Sequence, residues 1–201
     1  MTLPQEACDA GAKPGWMGYV AVDDVDEYAA RVTKAGGTVH RAPADIPGVG
    51  RFSVVADPQG AVIVLFKGTG TSPPAPADTP GYAGWRELYA ADGAAAFAFY
   101  SEMFGWTKGD AMDMGPMGIY QLFKTSAGGE SIGGIMTKPP NIPAPFWTYY
   151  FQVDGIQAAA ARITAAGGSV INGPMEVPGG SWVVQALDPQ GAMFALVSAK
   201  A

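Results

Sequence analysis

Asp57-Pro58-Gln59-Gly60-Ala61 is repeated without change at Asp188-Pro189-Gln190-Gly191-Ala192. The match extends backwards without a gap, at a constant offset of 131 residues (188 − 57), to the pair Trp16 and Trp147. Between these ends the matching residues include Tyr19 with Tyr150, Val22-Asp23 with Val153-Asp154, Arg31 with Arg162, and Ala35-Gly36-Gly37 with Ala166-Gly167-Gly168. A gapless match of this length indicates a repeated supersecondary unit.

Each repeat has the pattern of a strand, a helix and three further strands. In the first copy, residues 16–22 read as a strand, and Asp23 or Asp24 can cap a helix with apolar residues at helical spacing. Gly36-Gly37 ends that helix, and short strands follow at residues 38–41, 51–56 and 61–67. The last copy, residues 146–198, follows the same plan.

A third, more distant copy lies between these two. Residues 85–91 read as its first strand, Asp92 as a helix cap, and Gly105 as the end of the helix, with later strands at 118–124 and 131–137. The four prolines of residues 68–81 indicate a linker. We therefore predict a tail at 1–15, a lone half-module at 16–67, a linker at 68–82 and a complete module at 83–199.

The composition favours a globular protein. Of the 201 residues, 48% are hydrophobic and 15% charged, which supports a substantial core. The net charge of −6 argues against a nucleic-acid partner, and the sequence has no apolar run typical of a membrane span. Cys8 has no second cysteine with which to form an internal disulfide, so we expect a cytoplasmic protein.

Several motifs carry a family resemblance. Trp85-Arg86-Glu87-Leu88, Phe99-Tyr100, Phe104-Gly105-Trp106 and the repeated Asp-Pro-Gln-Gly-Ala resemble the vicinal-oxygen-chelate superfamily, which includes glyoxalase I, bleomycin resistance proteins and extradiol dioxygenases. The chain looks most like its two-module, glyoxalase-like bacterial members. The resemblance implies an α+β fold of tandem βαβββ half-units, whose curled mixed sheets carry helices on the outer face and enclose a concave site.

The resemblance also implies where metal ligands would stand. Metal-dependent members resemble one another in having His, Gln or Glu near the start of each half's first strand and Glu in its last strand. Here those positions hold Met17, Trp85 and Thr148, then Val64 and Ala195. His40 lies outside them and is expected on a solvated strand. Although family members often bind a divalent metal, we predict neither a metal nor another cofactor for this chain.

Alternation along the strands predicts the lining of a groove within residues 83–199. The residues expected on its concave side are Trp85, Glu87, Tyr89, Thr148, Tyr150, Gln152, Met193 and Ala195, while Tyr149, Phe151, Phe194 and Leu196 would form core beneath the helices. Such a groove is typical of a site for a small, partly aromatic ligand. Alternatively, the aromatic side chains only fill the inside of a curled sheet.

Two residues in this region have competing interpretations. Glu87, between Trp85 and Tyr89, is the candidate catalytic acid or base, because a desolvated carboxylate suits proton transfer; its alternative is a structural ion pair. Trp182 is either a ligand-binding residue at the mouth of the groove or a packing residue.

Three functions fit these observations. The leading one is a metal-independent, small-molecule-binding protein of the glyoxalase or bleomycin-resistance type. A second is a lyase, isomerase or hydroxylase of the family that uses Glu87. A third is an interaction scaffold whose groove is filled by its own side chains.

The lone half-unit at 16–67 needs a cover for its apolar face. Another half of the same chain, a second subunit, or an absent N-terminal segment of a longer protein could each supply that cover. Of these we expect a homodimer, since an uncovered face would favour aggregation.

Overall fold

The computed structural model describes residues 2–3, 5–9, 11–70, 76 and 79–201. It divides into two compact units. One comprises Met17–Pro74 and Arg86–Trp147, and the other comprises Met1–Trp16, Ala75–Trp85 and Thr148–Ala201. The first unit therefore contains the first copy of the repeat together with most of the second, and the other unit contains most of the third.

The first copy follows a short helix, α1 (Gln5–Asp9). Its elements are β1 (Tyr19–Ala21), α2 (Val25–Lys34), β2 (Thr38–Ile46), β3 (Gly50–Ala56) and β4 (Val62–Gly68). They form a sheet in the order β1-β4-β3-β2, in which β1 runs parallel to β4. The Asp24 carboxylate accepts a hydrogen bond of 2.9 Å from the Glu27 N–H and caps α2 as predicted. Strand β2 is longer than expected because register shifts between Val39 and Ala44 accommodate Pro43 within it.

The second copy repeats this arrangement. Its elements are β5 (Ala83–Ala90), α3 (Gly93–Phe104), β6 (Thr107–Asp113), a 3-10 turn (Gly115–Met117), β7 (Ile119–Lys124) and β8 (Gly133–Thr137). The strand order is β5-β8-β7-β6, with β5 parallel to β8. Asp92 caps α3 through the Ala95 N–H at 3.0 Å, and Gly105 ends the helix in the left-handed conformation at φ 71°. Strand β6 was not predicted.

The third copy comprises β9 (Phe146–Gln152), α4 (Ile156–Ala165), β10 (Ser169–Glu176), β11 (Trp182–Leu187) and β12 (Met193–Ser198). The order is β9-β12-β11-β10, with β9 parallel to β12. Ile156, Ala159, Val184 and Leu196 form the core between α4 and the sheet. The α+β fold of repeated βαβββ units is thus confirmed.

A chain of hydrogen bonds joins the first copy to the second. Asp57 is only 3% exposed, and its Oδ1 accepts from the N–H groups of Gln59 and Ala61 at 2.8 and 2.9 Å. Its Oδ2 accepts from the Tyr100 hydroxyl at 3.0 Å, and that hydroxyl accepts from Trp147 Nε1 at 3.0 Å. The buried carboxylate therefore holds α3 against the Asp57 turn.

Further contacts extend this junction along both helices. The Gln59 side chain donates to the Asp92 carbonyl at 2.9 Å and accepts from the Asp92 N–H at 2.8 Å. Arg31 donates to the carbonyls of Glu102 and Met103, and Tyr28 stacks on Phe104 with ring centroids 5.8 Å apart. The second copy thus provides cover for the first within one chain. The complete module at 83–199 and the homodimer stay predictions.

No helix in the described part of the chain is both long and apolar enough to span a membrane.

The junction predicts the effect of Tyr100→Phe. This change removes the shared hydroxyl and leaves both the Asp57 carboxylate and the Trp147 N–H short of a buried partner, so the free energy of unfolding should fall by about 2–3 kcal/mol. Urea unfolding followed by tryptophan fluorescence measures the loss. Tyr28→Phe is the matched control, because it keeps the stacking on Phe104 and should change stability by less than about 0.5 kcal/mol. Equal losses for both variants would contradict the role given to the hydroxyl.

Candidate functional site

The two faces of the third copy's sheet differ in what covers them. Strand pairing aligns Ala195 with Tyr150 and with Gln185, so these residues share one face. Phe151, Phe194 and Leu196 lie on the other face and pack against α4, as predicted. The Tyr150 face is defined here by Thr148, Tyr150, Gln152, Gln185, Met193 and Ala195.

A row of hydrogen-bonded side chains crosses the Tyr150 face. Asn172 Nδ2 donates to Gln185 Oε1 at 3.2 Å, and Gln185 Nε2 donates to the Tyr150 hydroxyl at 2.9 Å. Tyr150 is 5% exposed, and Gln185 is partly buried. This row fixes the position of the phenol on a face that also carries Thr148 and Gln152. Asn172 and Gln185 were not predicted as site residues. Gln185 could have been found, because it lies between two buried apolar residues of β11 and so faces the opposite side of the sheet from them.

The hydroxyl group of Thr148 is unusual because it is buried without a hydrogen-bond partner. The residue is 1% exposed, and its Oγ1 has no hydrogen-bond partner among the described residues. Leaving a buried hydroxyl without a partner costs about 1–3 kcal/mol, and such groups are rare in folded proteins. Thr148 also occupies one of the positions at which the family resemblance places a metal ligand. The structure therefore has a buried polar atom at this point that a bound molecule could satisfy.

The Gln152 amide is placed by the start of β5. The Gln152 N–H donates to the Tyr82 carbonyl at 2.8 Å, and the Gly81 N–H donates to the Gln152 carbonyl at 2.9 Å. The Gln152 side chain lies directly over Gly84, where a Cβ atom would collide with it. Glycine is therefore needed at position 84 to keep the Gln152 amide in place. The next residue of β5, Trp85, is partly buried.

Trp182 does not belong to the Tyr150 face. It packs against the core cluster of Ile156, Val184 and Leu196, on the side of the sheet that α4 covers. Its register partner is Ser198, two residues from Leu196 on the same side of β12. This contact agrees with the packing interpretation of Trp182, and its role in ligand binding stays a prediction.

Glu87 and Tyr89 lie in the other compact unit. Glu87 is 9% exposed on β5, opposite Gly134 of β8. The Tyr120 ring covers Gly134 so closely that a Cβ atom there would collide with it. Tyr89 stacks on Phe146 with ring centroids 5.0 Å apart and an interplanar angle of 9°. The residues beside Glu87 in this unit thus include aromatic rings that pack on the sheet.

The side chains at the family's metal positions do not fit a divalent metal. Trp85, Thr148 and Ala195 offer one hydroxyl among them, whereas zinc or manganese needs three or more histidine, cysteine or carboxylate ligands. In the part of the chain that the structure describes, no cluster of three or more His, Cys, Asp or Glu residues could hold a metal ion. His40 is exposed on β2.

A charged network marks the outer surface of the first copy. Arg51 donates to Asp26 at 2.6 and 2.8 Å and to Asp45 at 2.9 Å. The hydrogen bonds and charge of Arg51 hold the pKa of the Asp26 carboxyl below its usual value, despite some opposing desolvation. All three side chains are solvent-accessible, so water screens their attraction and the network contributes little to stability.

Comparison with known proteins places these features in a family. The model of the glyoxalase/bleomycin resistance protein/dioxygenase superfamily matches residues 9–65 and 82–196. The chain belongs to this superfamily. The predicted resemblance is thereby confirmed, and the two matched ranges exclude the proline-rich segment that was predicted to be a linker.

Two kinds of curated relative match nearly the whole chain. CFP32 of Mycobacterium tuberculosis, which carries the provisional name of a glyoxylase, is 36% identical over 188 residues, 93% of this chain and 70% of that protein. The anthracycline biosynthesis protein DauV of Streptomyces sp. strain C5 is 32% identical over 183 residues, 90% of this chain and 65% of that protein. This superfamily member is thus similar to proteins with very different names.

Solved structures of the superfamily share the fold. The Mn(II)-bound glyoxalase from Novosphingobium aromaticivorans aligns with a TM-score of 0.61 at 17% identity, over 91% of this chain and 62% of that one. The 2,3-dioxygenase LapB from Pseudomonas sp. KL28 aligns with a TM-score of 0.57 at 19% identity, over 89% of this chain and 70% of that one. The chain therefore spans about two thirds of the length of these superfamily structures.

The side chains at the superfamily's metal positions predict the metal content. The purified protein should retain less than about 0.1 equivalent of zinc, nickel, iron or manganese after desalting, because Trp85, Thr148 and Ala195 cannot form a set of three ligands. Elemental analysis by plasma mass spectrometry measures it. The double variant Thr148→His, Ala195→Glu is a useful comparison, since it introduces two ligands and should raise the retained metal. One full equivalent in the unmodified protein would contradict this prediction.

Proposed function

We propose that this protein binds a small molecule on the Tyr150 face without the help of a metal ion. The observation that carries the proposal is the Thr148 hydroxyl, which is buried and has no hydrogen-bond partner among the described residues. A ligand oxygen or nitrogen atom at this point would satisfy it. The Asn172–Gln185–Tyr150 row adds further polar groups of fixed orientation on the same face. Polar groups of fixed orientation beside apolar side chains, here Met193 and Ala195, are found in small-molecule sites.

The chemistry of this face indicates the class of ligand. A hydroxyl and a phenol bind a carbonyl or hydroxyl oxygen, while Met193 and the Tyr150 ring offer apolar and aromatic contact. Met193 and Gln152 are partly exposed, whereas Thr148 and Tyr150 are buried, so a ligand would reach the two buried side chains beside Met193 and Gln152. One relative is named as a glyoxylase and another as an anthracycline biosynthesis protein. We infer a planar molecule in which a carbonyl or hydroxyl group is attached to a ring.

A second candidate function is catalysis by Glu87. The observation in its favour is the low exposure of this carboxylate, 9%, on a strand that also carries Tyr89. Buried carboxylates are frequent acids and bases in enzymes of many classes. In this case the protein would convert its ligand, as a lyase, isomerase or hydroxylase, rather than only hold it.

Thr148→Val tests the leading proposal. Valine has nearly the shape of threonine, so removing an unsatisfied hydroxyl should keep or raise the free energy of unfolding, by up to about 1–2 kcal/mol. The same change should weaken binding of the best carbonyl compound by about tenfold, the equivalent of about 1.4 kcal/mol. Thermal-shift screening with hydroxyacetophenone and hydroxyanthraquinone identifies the probe, and calorimetric titration measures its affinity.

Ser53→Ala is the matched control for this test. Ser53 is also fully buried, but its hydroxyl donates to the Arg41 carbonyl at 2.7 Å, so its loss should destabilise the protein by about 1–2 kcal/mol and leave affinity unchanged. The proposal fails if Thr148→Val destabilises as much as Ser53→Ala, or if affinity for the probe is the same with and without the Thr148 hydroxyl. It also fails if neither compound shifts the melting temperature of the unmodified protein.

Glu87→Gln separates binding from catalysis. The amide retains the size of the side chain but cannot transfer the proton, so a catalytic Glu87 predicts loss of turnover by about 100-fold or more with intact binding. If the protein only binds, incubation of the probe with wild type and Glu87→Gln should leave the compound equally unchanged. Chromatography with mass detection of the incubated compound distinguishes the two functions, and conversion by wild type alone would favour the enzyme.

A further inference from the structure

The hairpin that joins β6 to β7 concentrates methionine. Three of the nine methionines of the chain, Met112, Met114 and Met117, lie within a stretch of six residues and are called the methionine triad below. Met112 and Met114 are partly buried, and Met117 is 51% exposed. Methionine is normally used to fill gaps in apolar cores, as the buried Met103 and Met136 are in the same compact unit. Three thioethers that are not fully buried therefore indicate a use other than core packing.

The extended backbone places Met112 and Met114 on one face of the hairpin. They are separated by one residue at the end of β6, and side chains two residues apart in an extended strand point to the same face. The exposure pattern agrees, because Ala111 and Asp113 are exposed whereas the two methionines are partly buried. The two thioether groups are thus neighbours on this face.

A 3-10 turn returns the chain so that Met117 lies beside Met114. The Met117 N–H donates to the Met114 carbonyl at 3.4 Å, and the Gly118 N–H donates to the Gly115 carbonyl at 2.9 Å. Residues three apart in such a turn lie one above the other, with their side chains on the same side. Met114 therefore lies between the other two methionines, with each Cα–Cα distance about 7 Å or less. Because a methionine side chain is long and unbranched, the three sulfur atoms can reach one point.

Hydrogen bonds fix the backbone of this turn. Asp113 Oδ1 accepts from the Gly115 N–H at 2.9 Å, and the Met114 N–H donates to the Gly118 carbonyl at 2.9 Å. Gly115 and Gly118 have φ values of 61° and 80°, which glycine adopts at the least cost. Met112 and Asp113 are still paired with β7. The backbone of the triad is therefore in place before a ligand binds, which lowers the entropic cost of binding.

Three thioethers select a particular class of ion. The sulfur atom of methionine is neutral and polarisable, and it prefers soft ions such as copper(I), whereas magnesium, calcium and manganese prefer oxygen ligands. An ion with one positive charge also needs less compensating charge from its ligands than a divalent ion does. The Asp113 carboxylate belongs to the same turn, and the net charge of −6 favours the approach of a cation.

We propose that the methionine triad binds one copper(I) ion through its three sulfur atoms. The triad contains none of the residues at the superfamily's metal positions, and it belongs to a different compact unit from the Tyr150 face. The proposal therefore does not depend on the proposed function. It is also compatible with a low content of zinc, nickel, iron and manganese, because thioethers are poor ligands for these ions compared with histidine, cysteine or carboxylate.

Methyl-labelled methionine tests the proposal on the whole chain. Cys8 is first changed to serine, because its exposed free thiol would compete for soft ions. The nine methionine methyl groups are labelled with carbon-13, and silver(I) is added as a probe that prefers the same soft ligands and keeps one oxidation state. The three methyl signals that disappear in Met112→Leu, Met114→Leu and Met117→Leu should be the ones that silver(I) shifts. Zinc at the same concentration should leave all the signals in place.

Copper(I) affinity connects the binding to each sulfur atom. Competition with a coloured copper(I) chelator, without oxygen, should show about one equivalent bound per chain. Each single change of a triad methionine to leucine keeps the side-chain volume, and it should weaken binding by about tenfold or more, the range that even supporting residues of metal sites reach. Met17→Leu is the matched control, because Met17 is 46% exposed but lies outside the triad, and it should leave the affinity unchanged.

Three results would overturn the proposal. The first is that silver(I) shifts no methionine signal, or shifts the Met17 signal in place of those of the triad. The second is that zinc produces the same shifts as silver(I), since the site would then not select soft ions. The third is that the triple variant, with leucine at positions 112, 114 and 117, keeps its circular dichroism spectrum and binds copper(I) as tightly as before.

Discussion

The buried carboxylate of Asp57 is the constraint on which the larger compact unit depends. A carboxylate that is 3% exposed requires compensation for lost hydration, and here it receives two backbone N–H groups and the Tyr100 hydroxyl. The two backbone bonds fix the turn between β3 and β4, and the third bond fixes α3 against it. Because Tyr100 also packs on Trp106 and Trp147, one hydroxyl links the turn to the aromatic core of the second copy. Local turn geometry thus determines a long-range junction.

Much of the architecture could be predicted from the sequence because the copies of the repeat can be compared with one another. Two copies with the same cap, helix end and turn indicate the same strand and helix order, and the structure confirms that order in all three copies. Strand β6 was missed because Gly109, Asp110 and Asp113 are poor strand formers, and pairing with β7 overrides that preference. The pairing of copies could not be predicted, since Asp57 and Asp188 stand in identical pentapeptides but differ in burial.

In the candidate site, too, some residues could be predicted from the sequence of one strand, whereas others depend on how the strands pair. Alternation along one strand was sufficient to place Thr148 and Tyr150 opposite Phe151. It did not reveal Gln185, whose contact with Tyr150 depends on the register between neighbouring strands. Side chains that interact across strands are determined by pairing, which a single sequence does not contain.

Comparison of the copies distinguishes residues needed for the fold from residues available for function. Where the fold alone sets the requirement, the copies agree, as in the turn that begins with Asp57 and with Asp188. Thr148 and Gln185 stand where the first copy has Met17 and Val54, so the βαβββ unit can form with apolar residues at both positions. A buried hydroxyl without a partner makes the third copy less stable than an apolar residue would. The fold therefore does not account for the polar side chains at these two positions of the third copy, which lie together on the Tyr150 face.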